Sequence, residues 1–569
     1  MTQASPDLAA KIGHARRLPD REPVHRFGPF GTVAETLAHV SQARAEHTWL
    51  TWLAENGEIR TYTYAEFFER VRRIAAAMTG PLGLKRGDRI ATAMHNHDQT
   101  ILINFAAWHA GISVAPLNMG EEDKRLAYVL EHSGARALFV LPEYAARMQP
   151  LASAAPRIGM LICTGCGSEN GAGPGWQYLE DIPPDPTPKT YPVAPEDEAL
   201  VVYTSGTTGV PKGVALSQYN LAADAFAIGN WFSLTPDSRM MCVLPVHHVN
   251  GLVVTHVTPF CAGASVVLNR KFSAHLFFQT IAKYKINIVS VVPTLLQFLL
   301  ESVKEFDRRS VESLQCIICG AGPLTVELAA RFEDRFKIPI IHGYGLSETT
   351  CYSCFVPKTD DTGDDEHRSW MRSHGFPSIG IPLEINEMAI HDENGREAAE
   401  GARGEIVIRG HNVMLGYHEN QKANDGAFTH GWFRSGDEGF YKTCPEGRRY
   451  FFISGRFKEL IIRGGVKISP LEVDEVLNGI EGVQAAMAVG FDNMTYGEEV
   501  GAYVVRKAGA DLSAEKVLAE CRARLPFWMS PKVVVFGETF PVTSTGKYQR
   551  NQLKPLFGEW REMQFRAAD

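Results

Sequence analysis

Apolar positions recur at helical spacing through TYAEFFERVRRIAAAM, where Phe67, Val71, Ile74, Ala75 and Met78 share one face. GDRIATAM then reads as a strand after a Gly-Asp turn, and GISVAPLN as another that stops after a proline. Residues 134–141 (GARALFVL) and 158–163 supply two more short apolar runs. Short buried strands between amphipathic helices predict α/β layers around largely parallel sheets. Two stretches break the rhythm. Residues 164–196 are rich in glycine and proline, and 359–378 (TDDTGDDEHRSWMRSHGFPS) reads as a long loop. Beyond about residue 460 the pattern restarts: a helix from Pro470, strands QAAMAVGF and GAYVVRK, and a helix SAEKVLAECRARL. That is the size of a separate small α+β domain.

A length of 569 residues also requires more than one domain. The formal charge is 57 − 65 = −8, which gives no basic face for bulk nucleic-acid binding. No run of about 18 apolar residues offers a membrane span. The first twenty residues lack an apolar signal region, so a cytoplasmic location is the expectation. Among the ten cysteines are three CxxC pairs. Cys316 and Cys319 lie in the apolar run LQCIICGAGP; three apart on a strand, they face opposite sides and cannot share a metal. Ordinary reduced thiols are expected throughout.

The most informative segment begins with the apolar run Val201-Val202-Tyr203 and continues as Thr204-Ser205-Gly206-Thr207-Thr208-Gly209-Val210-Pro211-Lys212-Gly213. Three glycines free the backbone to turn N–H groups toward an anion, four hydroxyls add donors, and Lys212 adds charge. This is phosphate-cradling chemistry without the GxxxxGK[ST] spacing of the P-loop.

YTSGTTGVPKGV resembles the phosphate-binding signature of the adenylate-forming superfamily, which contains acyl-CoA synthetases, peptide-synthetase adenylation domains and firefly luciferase. Further motifs follow in the family's order, so the resemblance runs from about residue 35 to 555. GYGLSET is similar to the family's YGxTE motif. It implies Tyr344 against adenine, Ser347 at phosphate and Glu348 on magnesium, with Gly343 and Gly345 framing the turn and Gly343 also bordering the substrate. Gly320, Ala321 and Gly322 resemble the adenine-contacting segment. WFRSGD places Asp437 on the ribose, where a carboxylate can accept from both hydroxyls, and Arg456 beside it. PVTSTGKYQR resembles the motif of the catalytic lysine, here Lys547. Lys458 falls at the family's hinge, and Gly465 where coenzyme A users pass the pantetheine arm.

On the acid side, LPVHHVNG resembles the segment lining the acyl pocket, with His247 in its wall and His248 gating the carboxylate. It has no aspartate to meet an ammonium group, which disfavours an α-amino acid. Phe226 and Asn230, on the helix after the phosphate loop, are expected to form another wall, suited to an aryl or medium-sized acid.

The resemblance implies an α/β fold with a large N-terminal domain of layered sheets and helices (1–457) and a smaller mobile α+β domain (458–569). The implied reaction is ATP- and magnesium-dependent activation of an acid as its acyl-adenylate, then transfer to coenzyme A. The partners would be small molecules, neither nucleic acid nor membrane, and the protein a monomer or homodimer. An amine or carrier-protein acceptor, nitrite activation with diazotisation of an aromatic amine, and a non-catalytic nucleotide-binding paralogue stay open.

Overall fold

The computed structural model describes residues 6–18, 29–166, 172–185, 192–204, 210–358, 364–543 and 548–565. The predicted helix forms as Tyr64–Thr79, capped by Thr63, whose hydroxyl accepts from Glu66 N while the Glu66 carboxylate accepts from Thr63 N. Its apolar stripe buries Phe67 against Trp49, Phe105 and Phe260, with edge-on contacts to the first two rings.

Two large sheets carry the N-terminal part, of nine and eight strands among the described residues. In the first, Thr48–Leu53, Ser265–Asn269, Arg239–Cys242, Ile288–Val291, Cys316–Cys319 and Ile340–Tyr344 run parallel. In the second, Arg89–Ala93, Ser113–Pro116, Ala137–Val140, Met160–Cys163 and Glu198–Thr204 are parallel. The predicted α/β class therefore holds, strand by strand. Cys316 packs in one core cluster and Cys319 in the next, on opposite faces of their sheet. Cys163 and Cys166 stand with their sulfurs 3.5 Å apart as free thiols, and burial pushes the Cys163 thiol up to about 12. No helix of the described residues is long and apolar enough to cross a membrane.

The predicted 359–378 loop is corrected in part: Asp364–Arg372 is a helix. A reading based on apolar periodicity misses it, because its polar side chains are spent on docking. His367 Nε2 lies 2.9 Å from Glu333 Oε1, Arg372 pairs with Glu333 and Asp334, and Trp370 stacks on Tyr450 at 3.8 Å. These contacts tie the helix to Glu333 and Asp334 of the helix Val326–Phe336 and to the strand Arg449–Arg456.

The strand Arg449–Arg456 closes the four-stranded N-terminal sheet, and Ile461–Arg463 opens a different sheet with Gly497–Arg506 and Val483–Asn493. Helices Pro470–Asn478 and Ala514–Arg524 complete the predicted small domain. It sits against the large domain through Glu475, which accepts from Val326 N with both oxygens at 3.1 Å, at the start of the helix Val326–Phe336. Burial at this contact raises the Glu475 carboxyl to about 8.

Candidate functional site

The phosphate segment joins two antiparallel strands. Glu198–Thr204 turns back as Lys212–Ser217, with Thr204 opposite Lys212. Ser205, Gly206, Thr207 and Thr208 lie outside the described residues. The returning strand is bordered by the short strand Gly416–Tyr417, which sets Tyr417 beside Val214. Met414 N donates to the carbonyl of Glu348 at 2.9 Å, so the same segment also fixes the GYGLSET turn.

Three side chains meet here. The Tyr417 hydroxyl donates to Glu348 Oε1 at 2.8 Å, and the Lys212 ammonium sits 4.5 Å from the centre of the Tyr417 ring. Burial lowers the Lys212 pKa, Lys458 lowers it further by repulsion, and Glu348 opposes both. Lys458, expected at a hinge, thus also adds positive charge at the phosphate segment. Burial raises the Tyr417 hydroxyl, and Glu348 raises it more, so it remains a donor. Tyr417 was not among the sequence-predicted residues. A single tyrosine on a two-residue strand leaves no periodic signal, and only the pairing with the Lys212 strand reveals it.

The turn itself is built by close packing. A Cβ on Gly345 would lie 1.9 Å from the Cys351 carbonyl oxygen, and one on Gly343 would lie 2.4 Å from the Phe355 ring. Gly320 has Tyr352 Oη and Gly343 O within 2.7 Å of such an atom. The predicted adenine segment therefore abuts the GYG turn. Ala321, at φ +62°, holds the left-handed backbone that Gly320 and Gly322 flank. Ser347 and Glu348 lie in a single 3-10 turn, followed by Thr350 at φ +60°, whose hydroxyl donates to Asn412 O.

Beside it is the predicted ribose pair. Asp437 and Arg456 face each other across antiparallel strands, with Arg456 Nε 2.9 Å from Asp437 Oδ1. Tyr344 donates its hydroxyl to Asp437 Oδ2 at 2.7 Å, so the ring expected against adenine is pinned at its polar end. Asp437 holds the Arg456 guanidinium firmly charged. On the ribose role that the motif implies, Asp437→Ala would remove that acceptor together with the partner of Tyr344 and Arg456; hydrogen bonds to charged groups contribute about 1.5–3 kcal/mol each. The expected outcome is a rise of about tenfold to a hundredfold in KM for ATP, read by initial-rate kinetics, with a smaller change in kcat.

The acid-side segment borders a cavity of about 540 Å³ at the carboxyl ends of strands from both large sheets. His247, Asn96, His95, Arg270 and Lys271 line it, and Thr543 reaches it from the small domain. Burial lowers His247 to about 4; burial, Arg270 and His97 lower His95 to about 3. Both imidazoles are neutral at about pH 7. His248 packs on His247, ring centres 4.5 Å apart. Asn230 is not brought to this cavity: it is exposed and donates to Glu384 at 2.9 Å. Phe226 is half-buried on the same helix, and the neighbouring Phe232 packs edge-on against Phe355. Gly465 is likewise apart, exposed at φ +87° with nothing within 4 Å of a Cβ. Lys547 lies outside the described residues, four positions after Thr543.

Behind the histidines the chain forms a π-helical stretch, Asn250–Val257. Gly251 permits it, since a Cβ there would lie 2.3 Å from Pro245 O. His256 Nδ1 donates to Gly251 O at 2.7 Å, and its Nε2 is buried without a partner among the described residues. Burial holds this ring near 4 against an unfolded value of about 6.5. The folded state thus resists a proton that the unfolded chain takes up, so stability from this residue is lost as pH falls below about 6.5 and the loss levels off near 4. A His256→Gln variant lacks this effect. Its stability deficit against the parent should narrow by about 2 kcal/mol between about pH 7 and pH 5, measured by urea unfolding.

The sequence matches the AMP-binding enzyme family over residues 37–418 and the AMP-binding enzyme C-terminal domain over residues 472–547. A sulfoacetate–CoA ligase of Cupriavidus necator is 34% identical over 475 residues, covering 83% of this chain and 88% of the relative. An oxalate–CoA ligase of Arabidopsis thaliana is 31% identical, covering 87% and 94%. The ATP-bound crystal structure of MatB from Rhodopseudomonas palustris superposes with a TM-score of 0.80 over 93% of this chain and 100% of that one, at 24% identity, which establishes the shared fold. The chain belongs to the AMP-binding enzymes. Within them it is an AMP-forming ligase.

Proposed function

We propose that this enzyme activates a compact aryl or medium-sized carboxylic acid with ATP, through an acyl-adenylate, and transfers the acyl group to coenzyme A. The observation that carries the reading is the meeting of both domains at one cavity. Thr543, which opens the segment leading to Lys547, lines the same space as His247. That orientation suits the adenylating step. Lys547 and Lys212 meet charge developing on the α-phosphate, Asp437 and Arg456 hold the ribose, and the acid carboxylate enters beside His248. The carboxylate oxygen bonds to the α-phosphorus and pyrophosphate leaves.

Magnesium fits the residues present. No group of three or more His, Cys, Asp or Glu that could cage an ion exists among the described residues, while Glu348 keeps its second carboxylate oxygen without a described partner. One carboxylate plus substrate phosphates is the usual setting for this ion, which would neutralise phosphate charge when bound.

For the second step, the domain boundary is placed at 457/458, and rotation about Lys458 withdraws Lys547 and brings Gly465 toward the cavity. Arg270 in the cavity lining suits a phosphorylated thiol such as coenzyme A, whereas Lys271 beside it is paired with Glu55 at 2.5 Å. The thiolate attacks the acyl carbon and AMP leaves. ATP–pyrophosphate exchange against a panel of acids tests the first step. Exchange that depends on one class of acid supports the reading; none with any acid, alongside intact ATP binding, would favour a nucleotide-binding protein without catalysis.

A further inference from the structure

We infer that Tyr417 is a positioning residue that couples the magnesium-binding carboxylate to the phosphate-binding lysine. Its hydroxyl is spent on Glu348 and its ring faces the Lys212 ammonium, so one side chain touches both charged groups. Its backbone is equally constrained. Tyr417 N donates to Asn424 Oδ1 at 2.7 Å, Asn424 Nδ2 returns a bond to Tyr417 O at 3.0 Å, and the next residue, His418, donates its N–H to Gly213 O at 2.7 Å. The ring therefore cannot drift without pulling at the Lys212 strand.

The arrangement solves an electrostatic problem. Before nucleotide binds, Glu348 and Lys212 attract each other, and a direct ion pair would occupy the groups that must meet magnesium and phosphate. Tyr417 offers each an alternative partner: a hydrogen-bond donor for the carboxylate and a π face for the ammonium. The hydroxyl bonds to one oxygen of Glu348, and no bond from Tyr417 takes up the other.

The inference rests on the ATP-ligase reading, and the variants separate the two. Tyr417→Phe deletes only the oxygen; Tyr417→Leu deletes the ring as well. The measured quantity is the Kd for ATP by titration calorimetry, in EDTA and in saturating magnesium. For the parent, magnesium tightens binding. In Tyr417→Phe the metal-free Kd should stay within about twofold while the tightening by magnesium falls about tenfold, the loss of one bond to a charged acceptor. In Tyr417→Leu the metal-free Kd should also weaken severalfold. In a Glu348→Gln background, Tyr417→Phe should change the tightening no further. Unchanged tightening in Tyr417→Phe, or an equal loss with and without Glu348, would overturn the inference. Unchanged tightening in Glu348→Gln alone would instead overturn the magnesium role given to that carboxylate. Both the Phe and the Gln substitutions keep side-chain shape, so the comparison stands even if the Leu variant fails to fold.

Discussion

Glu348→Gln should slow ATP–pyrophosphate exchange by about a hundredfold to a thousandfold, the usual cost of removing one preorganised charge from a phosphoryl or acyl transition state. The substitution preserves shape. The carboxamide oxygen of the variant still accepts from the Tyr417 hydroxyl, and the backbone carbonyl still accepts from Met414 N. The turn is held by glycines that pack on Cys351 and Phe355 rather than by the carboxylate, so the melting temperature should be unchanged. The loss should sit in kcat and in the magnesium concentration needed for half-maximal exchange. A variant that exchanges within about threefold of the parent would remove Glu348 from the chemistry.

Lys547→Ala should separate the two half-reactions. Adenylation should fall by a similar factor of about a hundred to a thousand, because an ammonium brought to the α-phosphate is lost. Thioester formation from a supplied acyl-adenylate and coenzyme A should remain within a few-fold of the parent, since the proposed rotation takes the lysine away before the thiol arrives. Lys547 follows Thr543 by four residues, and Thr543 already lines the cavity. Equal loss in both half-reactions would contradict a role confined to the first. Unaltered exchange would show that another residue supplies the charge.

Much of this arrangement is legible in the sequence. The alternation of short apolar runs with amphipathic helices locates the parallel strands. The restart near residue 460 locates the small domain. Motifs name Lys212, Glu348, Asp437 and Arg456, and the fold brings Glu348 near Lys212 and Asp437 against Arg456 and Tyr344. What stays hidden depends on contacts distant in sequence. Tyr417 matters because a strand far earlier in the chain carries Lys212 past its ring. The helix Asp364–Arg372 is polar along most of its length and is held by ion pairs, one stacked ring and the buried Met371, so only two apolar side chains announce it. Asn230 shares a helix with pocket candidates but leaves the helix on its exposed side, toward Glu384.

In the proposed reaction the acid carboxylate itself attacks ATP. The most direct measurement uses an acid that supports exchange, labelled with ¹⁸O in both carboxylate oxygens, incubated with ATP, magnesium and coenzyme A. Products are read by mass spectrometry. The expected result is AMP carrying one ¹⁸O, unlabelled pyrophosphate, and a thioester that retains the other ¹⁸O. Label in pyrophosphate or inorganic phosphate, or AMP without label beside a formed thioester, would contradict the acyl-adenylate.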